Sequence, residues 1–455
     1  MSAVLWLRRD LRRADLPALG AAADAGGGDV TVVFVVDPEF FGPAGAARRA
    51  WLARTLQALR ETYDGRLVLR SGDPLRVIPA VAAEAGAASV HVSTETEPGG
   101  AARDARVRTA LAERGVAWVE TGSPYAVTPG RLRTASGGGF QVFTPFSRAW
   151  REHGWRAPAV EPPGVRLRDL PSDPAAWALL GAAAAEPGVP ELPEAGEEAA
   201  LRRWAAFLDD GLADYAEHRN RVDLDGTSRL SPYLKLGVVH PRTLLAALDG
   251  RPGDGPRVFT NELAWREFYA DVLFRHPESL DADLRPLGLT YDDDPDRLAA
   301  WQQGRTGYPI VDAGMRQLLA TGWMHNRVRM IAASFLTKDL HQWWRAGARW
   351  FEQHLIDADL ASNAHGWQWT AGTGTDAAPY FRVFNPILQG KKFDPQGEYV
   401  RRWIPELRHL PGARVHEPWL APDGGRHGYP GPLVDHAEER AVALARYQQA
   451  KGELA

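Results

Sequence analysis

Three stretches of this chain concentrate side chains that could do chemistry. In residues 314–330 and 357–370, Trp, Arg, Asn and Asp are interleaved more densely than a surface or a plain core requires. Such a mixture suits a buried polar cavity with aromatic walls. Read as a helix, the first segment puts Asn326, Arg329 and Met330 at i, i+3 and i+4, so an amide, a guanidinium and a thioether share one face. A core face would not choose the first two, although an amphipathic helix with a solvated polar stripe carries the same pattern. Residues 261–269, Asn-Glu-Leu-Ala-Trp-Arg-Glu-Phe-Tyr, are more telling. Glu262, Trp265, Arg266 and Tyr269 fall at i, i+3, i+4 and i+7. A ring to stack on a base, a carboxylate for polar edges and an Arg for phosphate are what a nucleobase pocket requires. A Glu262–Arg266 surface ion pair, worth a few tenths of a kcal/mol, would account for the two charges and leave Trp265 unexplained.

A further segment, Asp225-Gly-Thr-Ser-Arg-Leu-Ser-Pro-Tyr-Leu234, opens a helix with consecutive hydroxyls. Its unpaired N–H groups and dipole could bind phosphate oxygens. Ordinary capping by Thr227 or Ser228 accounts for the same residues.

The elements that must carry these residues fall into two classes. Between residues 3 and 121, short β-branched runs (Val4–Leu7, Thr31–Val36, Arg66–Leu69, Ser89–Val92 and Val116–Val119) alternate with Ala/Leu/Arg-rich stretches. This alternation predicts βαβ units and a doubly wound parallel sheet with helices on both faces. Arg8-Arg-Asp-Leu-Arg-Arg13 stands where a G-x-G-x-x-G turn would follow the first strand, so a standard dinucleotide site is not expected. The fold class still places a ligand crevice at the strand C-termini. Residues 131–196 are rich in Pro, Gly and Ala and read as a long linker, pinned in part by Phe143, Phe146 and Trp150. From Glu197 onward the pattern is helical. The expected division is 1–130 α/β, 131–196 linker and 197–455 all-α.

Composition narrows the function classes. A length of 455 residues leaves room for two or three domains with proper cores. The formal net charge of -4 removes global basicity as an argument for nucleic acid, so DNA binding would need a local patch. The absence of cysteine excludes disulfides, thiolate metal sites and a Cys nucleophile, and no metal is expected. Charges at Arg8, Arg9 and Asp10 interrupt any signal-peptide pattern, and no apolar run reaches the roughly 18 residues of a membrane helix. The expectation is a soluble, cytoplasmic monomer. Core packing accounts for most of the 17 Trp residues.

Several motifs together resemble one family. Asp225 to Leu234, Trp265-Arg-Glu-Phe, Thr306-Gly-Tyr-Pro-Ile-Val-Asp312, Thr321-Gly-Trp-Met-His-Asn-Arg327 and Gly366-Trp-Gln-Trp369 are similar, in order and over nearly the whole chain, to the photolyase/cryptochrome family. The likeness is closest to the microbial class I photolyases that repair cyclobutane pyrimidine dimers. It implies an α/β antenna domain, a linker and a helical domain holding FAD. Tyr215, Thr227, Ser228, Arg229, Leu230, Ser231 and Phe259 would bind the cofactor's phosphates, sugars and neighbouring parts. Arg329, Asp357, Ala358, Asp359 and Asn363 would surround the isoalloxazine. Pairing Arg329 with Asp357 would avoid an isolated buried ion. The Asn363 amide oxygen would accept a hydrogen bond from flavin N5, where plant cryptochromes carry an acid, so the residue favours repair over signalling.

By the same resemblance, Glu262, Trp265, Asn326, Met330 and Trp369 would receive a dimer flipped out of UV-damaged duplex DNA. Arg219, Arg266, Tyr269, Arg327, Arg382 and Gln389 would supply further DNA contacts. A (6-4) photolyase typically shows paired histidines where this chain has His325-Asn326, which points to the cyclobutane lesion. Between Ala378 and Trp403, Arg382, Lys391, Lys392, Arg401 and Arg402 against Asp394 and Glu398 leave +3, a surplus able to hold phosphate or simply a solvated face. Repair would proceed by electron donation from excited reduced FAD. Trp367 and Trp344 match the inner members of the family's electron-transfer chain. The outermost position falls on Tyr291, with Trp301, Trp343 or Trp350 as possible substitutes. Lys235, Arg48, Glu95 and Glu97 match members that bind 8-hydroxy-5-deazaflavin as antenna, the cation pairing with its ionised hydroxyl. Methenyltetrahydrofolate, no antenna, or a plain surface Lys are the alternatives. Two other readings of the chain are a cryptochrome-like photoreceptor without repair, against which Asn363 and the lack of a long tail beyond Ala455 speak, and a nonphotochemical nucleotide-binding protein.

Overall fold

The β-branched runs form strands where the alternation places them. In the computed structural model, which describes residues 2–376 and 381–453, the strands are β1 (Ser2–Leu7), β2 (Asp29–Val36), β3 (Val68–Ser71), β4 (Ala87–Val92) and β5 (Ala117–Glu120), with a short β6 (Arg166–Leu167). All described pairings are parallel, in the order β3-β2-β1-β4-β5, and β6 runs beside β2. The central strand β1 is buried along its whole length, as a strand covered on both faces must be. Trp6, Val33, Val90, Ile78 and Val107 fill one side of the sheet.

Compactness divides the chain otherwise than composition does. A first unit comprises the chain to Ala213 together with Ser228–Pro277, and a second comprises Asp214–Thr227 with the chain from Glu278. The Pro/Gly/Ala-rich stretch contributes helices Phe143–His153 and Pro174–Ala184 to the first unit. This stretch and the residues just before it are tied to the Asp254–Arg275 helix by buried carboxylates. Glu267 accepts from the backbone N–H of Ala126 and Val127 and from Trp150 Nε1, and Asp271 from the Gly130 N–H. Burial pushes the Glu267 carboxyl above its usual range, partly offset by those donors.

The second unit is helical around a core that includes Trp301, Met315, Trp344 and Trp367. The motif Thr306 to Asp312 is a structural knot. The buried Asp312 carboxylate accepts from Thr306 N–H and Oγ1, Gly307 N–H and the Tyr429 hydroxyl at 2.6 to 3.0 Å. Gly307 has φ +77°, and a Cβ there would overlap the backbone of Gly431. Among the described residues, no helix is long and apolar enough to cross a membrane, and no His/Asp/Glu cluster is arranged to hold a metal.

Candidate functional site

In the second unit, helix Asn326–Ser334 turns Val328, Ile331 and Ala332 into the core, while Asn326, Arg329 and Met330 stay outside it. The expected shared face therefore exists. His325 caps this helix by accepting the Arg327 N–H at 3.1 Å. Arg329 Nη2 pairs with Asp357 Oδ2 at 2.8 Å, and its Nε donates to the Met324 carbonyl. The pair keeps a nearly buried carboxylate neutralised. Asp359 caps helix Leu360–Ala371 by accepting the Ser362 N–H at 2.9 Å, with buried Ala358 beside it.

Asn363 lies on the first turn of that helix. Its Nδ2 donates to the Ala348 carbonyl at 3.0 Å and to Glu352 Oε1 at 3.2 Å. Both acceptors fix the amide's orientation and leave Oδ1 on the opposite side, where it accepts from no described residue. An open acceptor is what flavin N5–H calls for, so these residues fit the cofactor that the resemblance implies. The Glu352 contact was not foreseen, because residues 11 apart on different helices leave no periodic signal.

Trp367 and Trp344 are both buried, and the Trp344 Nε1–H donates to Asp283 Oδ1 at 2.6 Å. Tyr291 is half-buried with its hydroxyl facing no described acceptor. Trp369 lines a cavity of ≈ 200 Å³ with Arg285, Lys338, Phe381, Arg382 and Tyr447. Arg327 donates twice to Asn220 Oδ1 and lies over the Phe393 ring, and Arg219 lies over Tyr215, which is buried. Gln389 is half-buried on helix Pro386–Phe393. Ala378, where the expected positive stretch begins, lies outside the described residues. Within the rest of that stretch, Lys391 pairs with Glu417 and Arg401 with Glu398, so part of the surplus charge is already engaged.

In the first unit, the Asp254–Arg275 helix buries Leu263, Ala264, Glu267 and Phe268 and leaves Glu262, Trp265, Arg266 and Tyr269 at the edge of the core, as the spacing predicts. Phe143 stacks on Trp265 with centroids 3.8 Å apart and planes 5° apart, and Phe268 and Tyr269 flank the indole at 5.7 and 5.4 Å. One face of Trp265 is thus covered by a ring from the Pro/Gly-rich stretch. Its aromatic residues were the only sequence signal for that contact. Arg266 departs from expectation. It donates to the carbonyls of Pro124 and Leu234 at 3.2 and 3.3 Å and lies over Tyr125, so neither a phosphate contact nor a Glu262 ion pair describes it. Carbonyls that helix ends and loops leave open draw the guanidinium inward.

The helix expected to open at Thr227 or Ser228 begins instead at Ser231 and runs only to Lys235. Its N-cap is Leu230, without a side-chain cap, and Arg229 has φ +50°, so the preceding residues are a turn. Ser228 Oγ accepts the Leu230 N–H at 3.4 Å, a local turn contact that replaces the expected cap. Phe259 is buried against Trp204 and Phe207.

Three of the residues expected at an antenna site, Glu95, Glu97 and Lys235, also meet in this unit, around one that sequence reasoning passed over. Arg9 pairs with Glu97 at 2.6 Å and Glu95 at 3.3 Å and reaches the Tyr125 hydroxyl, while Lys235 joins Glu97 at 3.1 Å. Nearby Arg9 and Arg8, with backbone N–H donors, hold the Glu95 carboxyl below its usual range despite burial. The tract of arginines after β1 was the available signal. Arg48 lies on helix Ala46–Thr62.

Comparison with known proteins accords with this geometry. Residues 3–164 match the family model for DNA photolyase and residues 259–449 that for the FAD binding domain of DNA photolyase. The chain is 40% identical to a deoxyribodipyrimidine photo-lyase of Halobacterium salinarum, with 99% of each chain covered. A class III photolyase structure from Agrobacterium tumefaciens superposes with TM-score 0.89 at 38% identity, covering 99% of this chain and 98% of that one. A Synechocystis cryptochrome structure gives TM-score 0.86 at 30% identity over 98% of both. With matching models over both its α/β and helical parts, and relatives aligned end to end, this chain belongs to the DNA photolyase family.

Proposed function

We propose that this protein is a light-dependent DNA-repair lyase that splits cyclobutane pyrimidine dimers, using FAD bound by its helical part. The observation that carries the reading is the Asn363 amide, held by Ala348 and Glu352 with its oxygen left to accept. Bound reduced FAD supplies the excited-state electron that opens the cyclobutane ring. The protein's own residues orient, balance charge and exclude water. Asn363 Oδ1 would accept a hydrogen bond from flavin N5–H, which keeps its proton, and so favour the reduced cofactor. Arg329 and Asp357 neutralise one another beside it. Tyr215, Thr227, Ser228 to Ser231 and Phe259 are the residues that the resemblance assigns to the rest of the cofactor.

Trp265 would offer the lesion the face that Phe143 does not cover, with Glu262 for the polar edge. By the resemblance, Asn326, Met330 and Trp369 would also address the dimer, and Arg219, Arg327, Arg382 and Gln389 the surrounding DNA. Tyr269 packs beside Trp265. The acidic and basic cluster of Arg9, Glu95, Glu97 and Lys235 suits an antenna with an ionised hydroxyl, 8-hydroxy-5-deazaflavin being the class it fits. The likeness to a cryptochrome structure supports a photoreceptor as the second reading, against which Asn363 stands.

Lesion recognition is tested by comparing the affinities for a thymine-dimer oligonucleotide and its undamaged counterpart. The wild type should prefer the lesion, and Trp265→Ala should lose most of that preference, since stacking on an aromatic is worth about 1–3 kcal/mol per base. Equal affinity for both oligonucleotides in the FAD-loaded protein would remove the repair reading and leave the photoreceptor.

A further inference from the structure

An electron that reaches bound FAD in photoactivation would enter it from Trp367, having started on a residue farther out. Trp367 lies one helical turn beyond Asn363, on the same face of helix Leu360–Ala371. Its ring lies against Gly347, where an added Cβ would overlap Trp367 Cη2. Gly347 is one turn into the helix that opens with Trp344. Trp344 is wholly buried, and the Asp283 carboxylate that accepts its N–H favours positive charge on that indole. Trp367 and Trp344 are therefore inner stations.

A terminal donor must contact a station and must have somewhere to send its proton. Trp301 contacts Trp367 edge-on at 6.0 Å, but it is wholly buried and its N–H donates to the Ala332 carbonyl, which cannot take a proton at neutral pH. The Trp350 Nε1–H is buried and faces no described acceptor. The Tyr291 hydroxyl is likewise buried without a described acceptor, and burial with the nearby Asp283 charge pushes its pKa well up. A phenol that cannot release its proton is a poor place for a hole. Trp343 alone among these meets both conditions. Its ring centroid is 6.0 Å from that of Trp344 at an interplanar angle of 66°, it is 36% exposed, and its N–H donates to no described residue.

We infer that Trp343, and not Tyr291, is the terminal electron donor for photoreduction of the bound flavin, an inference that rests on the FAD reading above. One electron leaves Trp367 for the excited flavin, Trp344 refills Trp367, and Trp343 refills Trp344. The Trp343 radical cation then releases its indole proton to water, leaving a neutral indolyl radical. An external thiol returns the electron, and water returns the proton.

The test is flash photolysis of the FAD-loaded wild type, Trp343→Phe and Tyr291→Phe, with bound-flavin absorbance and melting temperature recorded first. After illumination in air without thiol, peptide mapping locates the oxidised residue. In the apoprotein, one-electron oxidation by azide radical reports the exposed indoles, Trp343 and Trp419 among them, without any flavin. The wild type and Tyr291→Phe should give a long-lived tryptophanyl radical, with oxygen adducts on the Trp343 peptide. Trp343→Phe should lose that radical and lower the apoprotein's tryptophanyl yield. A tyrosyl radical, or a Trp343→Phe trace equal to wild type with flavin bound, would overturn the inference alone. Failure of the wild type to bind FAD would overturn the cofactor reading and this inference with it.

Discussion

Asn363 shows how one amide can be set by its surroundings. Because Ala348 and Glu352 take both its donor contacts, the acceptor side has a single direction. Asn363→Ala should weaken stabilisation of the reduced cofactor by about one hydrogen bond, roughly 0.5–1.5 kcal/mol, seen as a lower flavin midpoint potential in a redox titration. Glu352→Ala should produce a smaller shift in the same direction, since Ala348 still holds the amide, and no shift in either variant would deny the residue this role. At this scale the sequence was legible wherever a helix put its residues on one face: Glu262 with Trp265 and Tyr269, Asn326 with Arg329 and Met330. It was not legible for Arg266, whose acceptors lie at Pro124 and Leu234, or for Glu352, because such contacts depend on chain crossings that no local period encodes.

Elements set the distances between these residues. Gly347 permits the Trp367 ring to lie on the Trp344–His354 helix, so Gly347→Ala should cost about 1–3 kcal/mol through overpacking. It should also slow flavin photoreduction, measured by thermal melts and by flash photolysis respectively. An unchanged melting temperature would mean that the ring moves freely. The C-terminal helix His436–Glu453 is joined to the π-helical turn Phe335–Asp339 by His436 Nδ1 and Asp339 Oδ1 at 2.5 Å, and His341 meets Glu439 at 2.7 Å. Burial, more than offsetting the His436 contact, raises the Asp339 carboxyl to about 6. An unfolded Asp titrates near 3.9, so the folded state holds the extra proton between those values. The contribution of Asp339 to stability is full below about 4, declines as pH rises to about 6 and is constant above. The difference in melting temperature between wild type and Asp339→Asn should therefore fall across that window, and a difference that rises with pH would contradict the assignment. Periodicity foretold these helices, and β-branched runs foretold the strands. The 131–196 stretch read as a linker because the groups that hold it, Glu267 on Trp150 and Arg275 on the Leu132 carbonyl, come from a helix more than a hundred residues later.

Over the whole molecule, a net charge of -4 means that DNA must be held by a patch. Lys391 and Arg401 already have acidic partners, which leaves Lys392 and Arg402 of that stretch as the more available cations. Affinity for duplex DNA should fall with salt, and replacing both with Ala should reduce the slope of log K against log salt by about 2; an unchanged slope would place the DNA elsewhere. The fold class was legible because strand and helix periods fill different parts of the chain, whereas the compact units were not, because residues 214–227 join one and 228–277 the other. The account stands or falls on repair by light. The direct measurement is recovery of thymine absorbance from a thymine-dimer oligonucleotide mixed with FAD-reduced protein under blue light, beside a dark control. Recovery in the light alone, lost in Glu262→Ala, is the predicted result; FAD bound and reduced with no recovery in the light would contradict it.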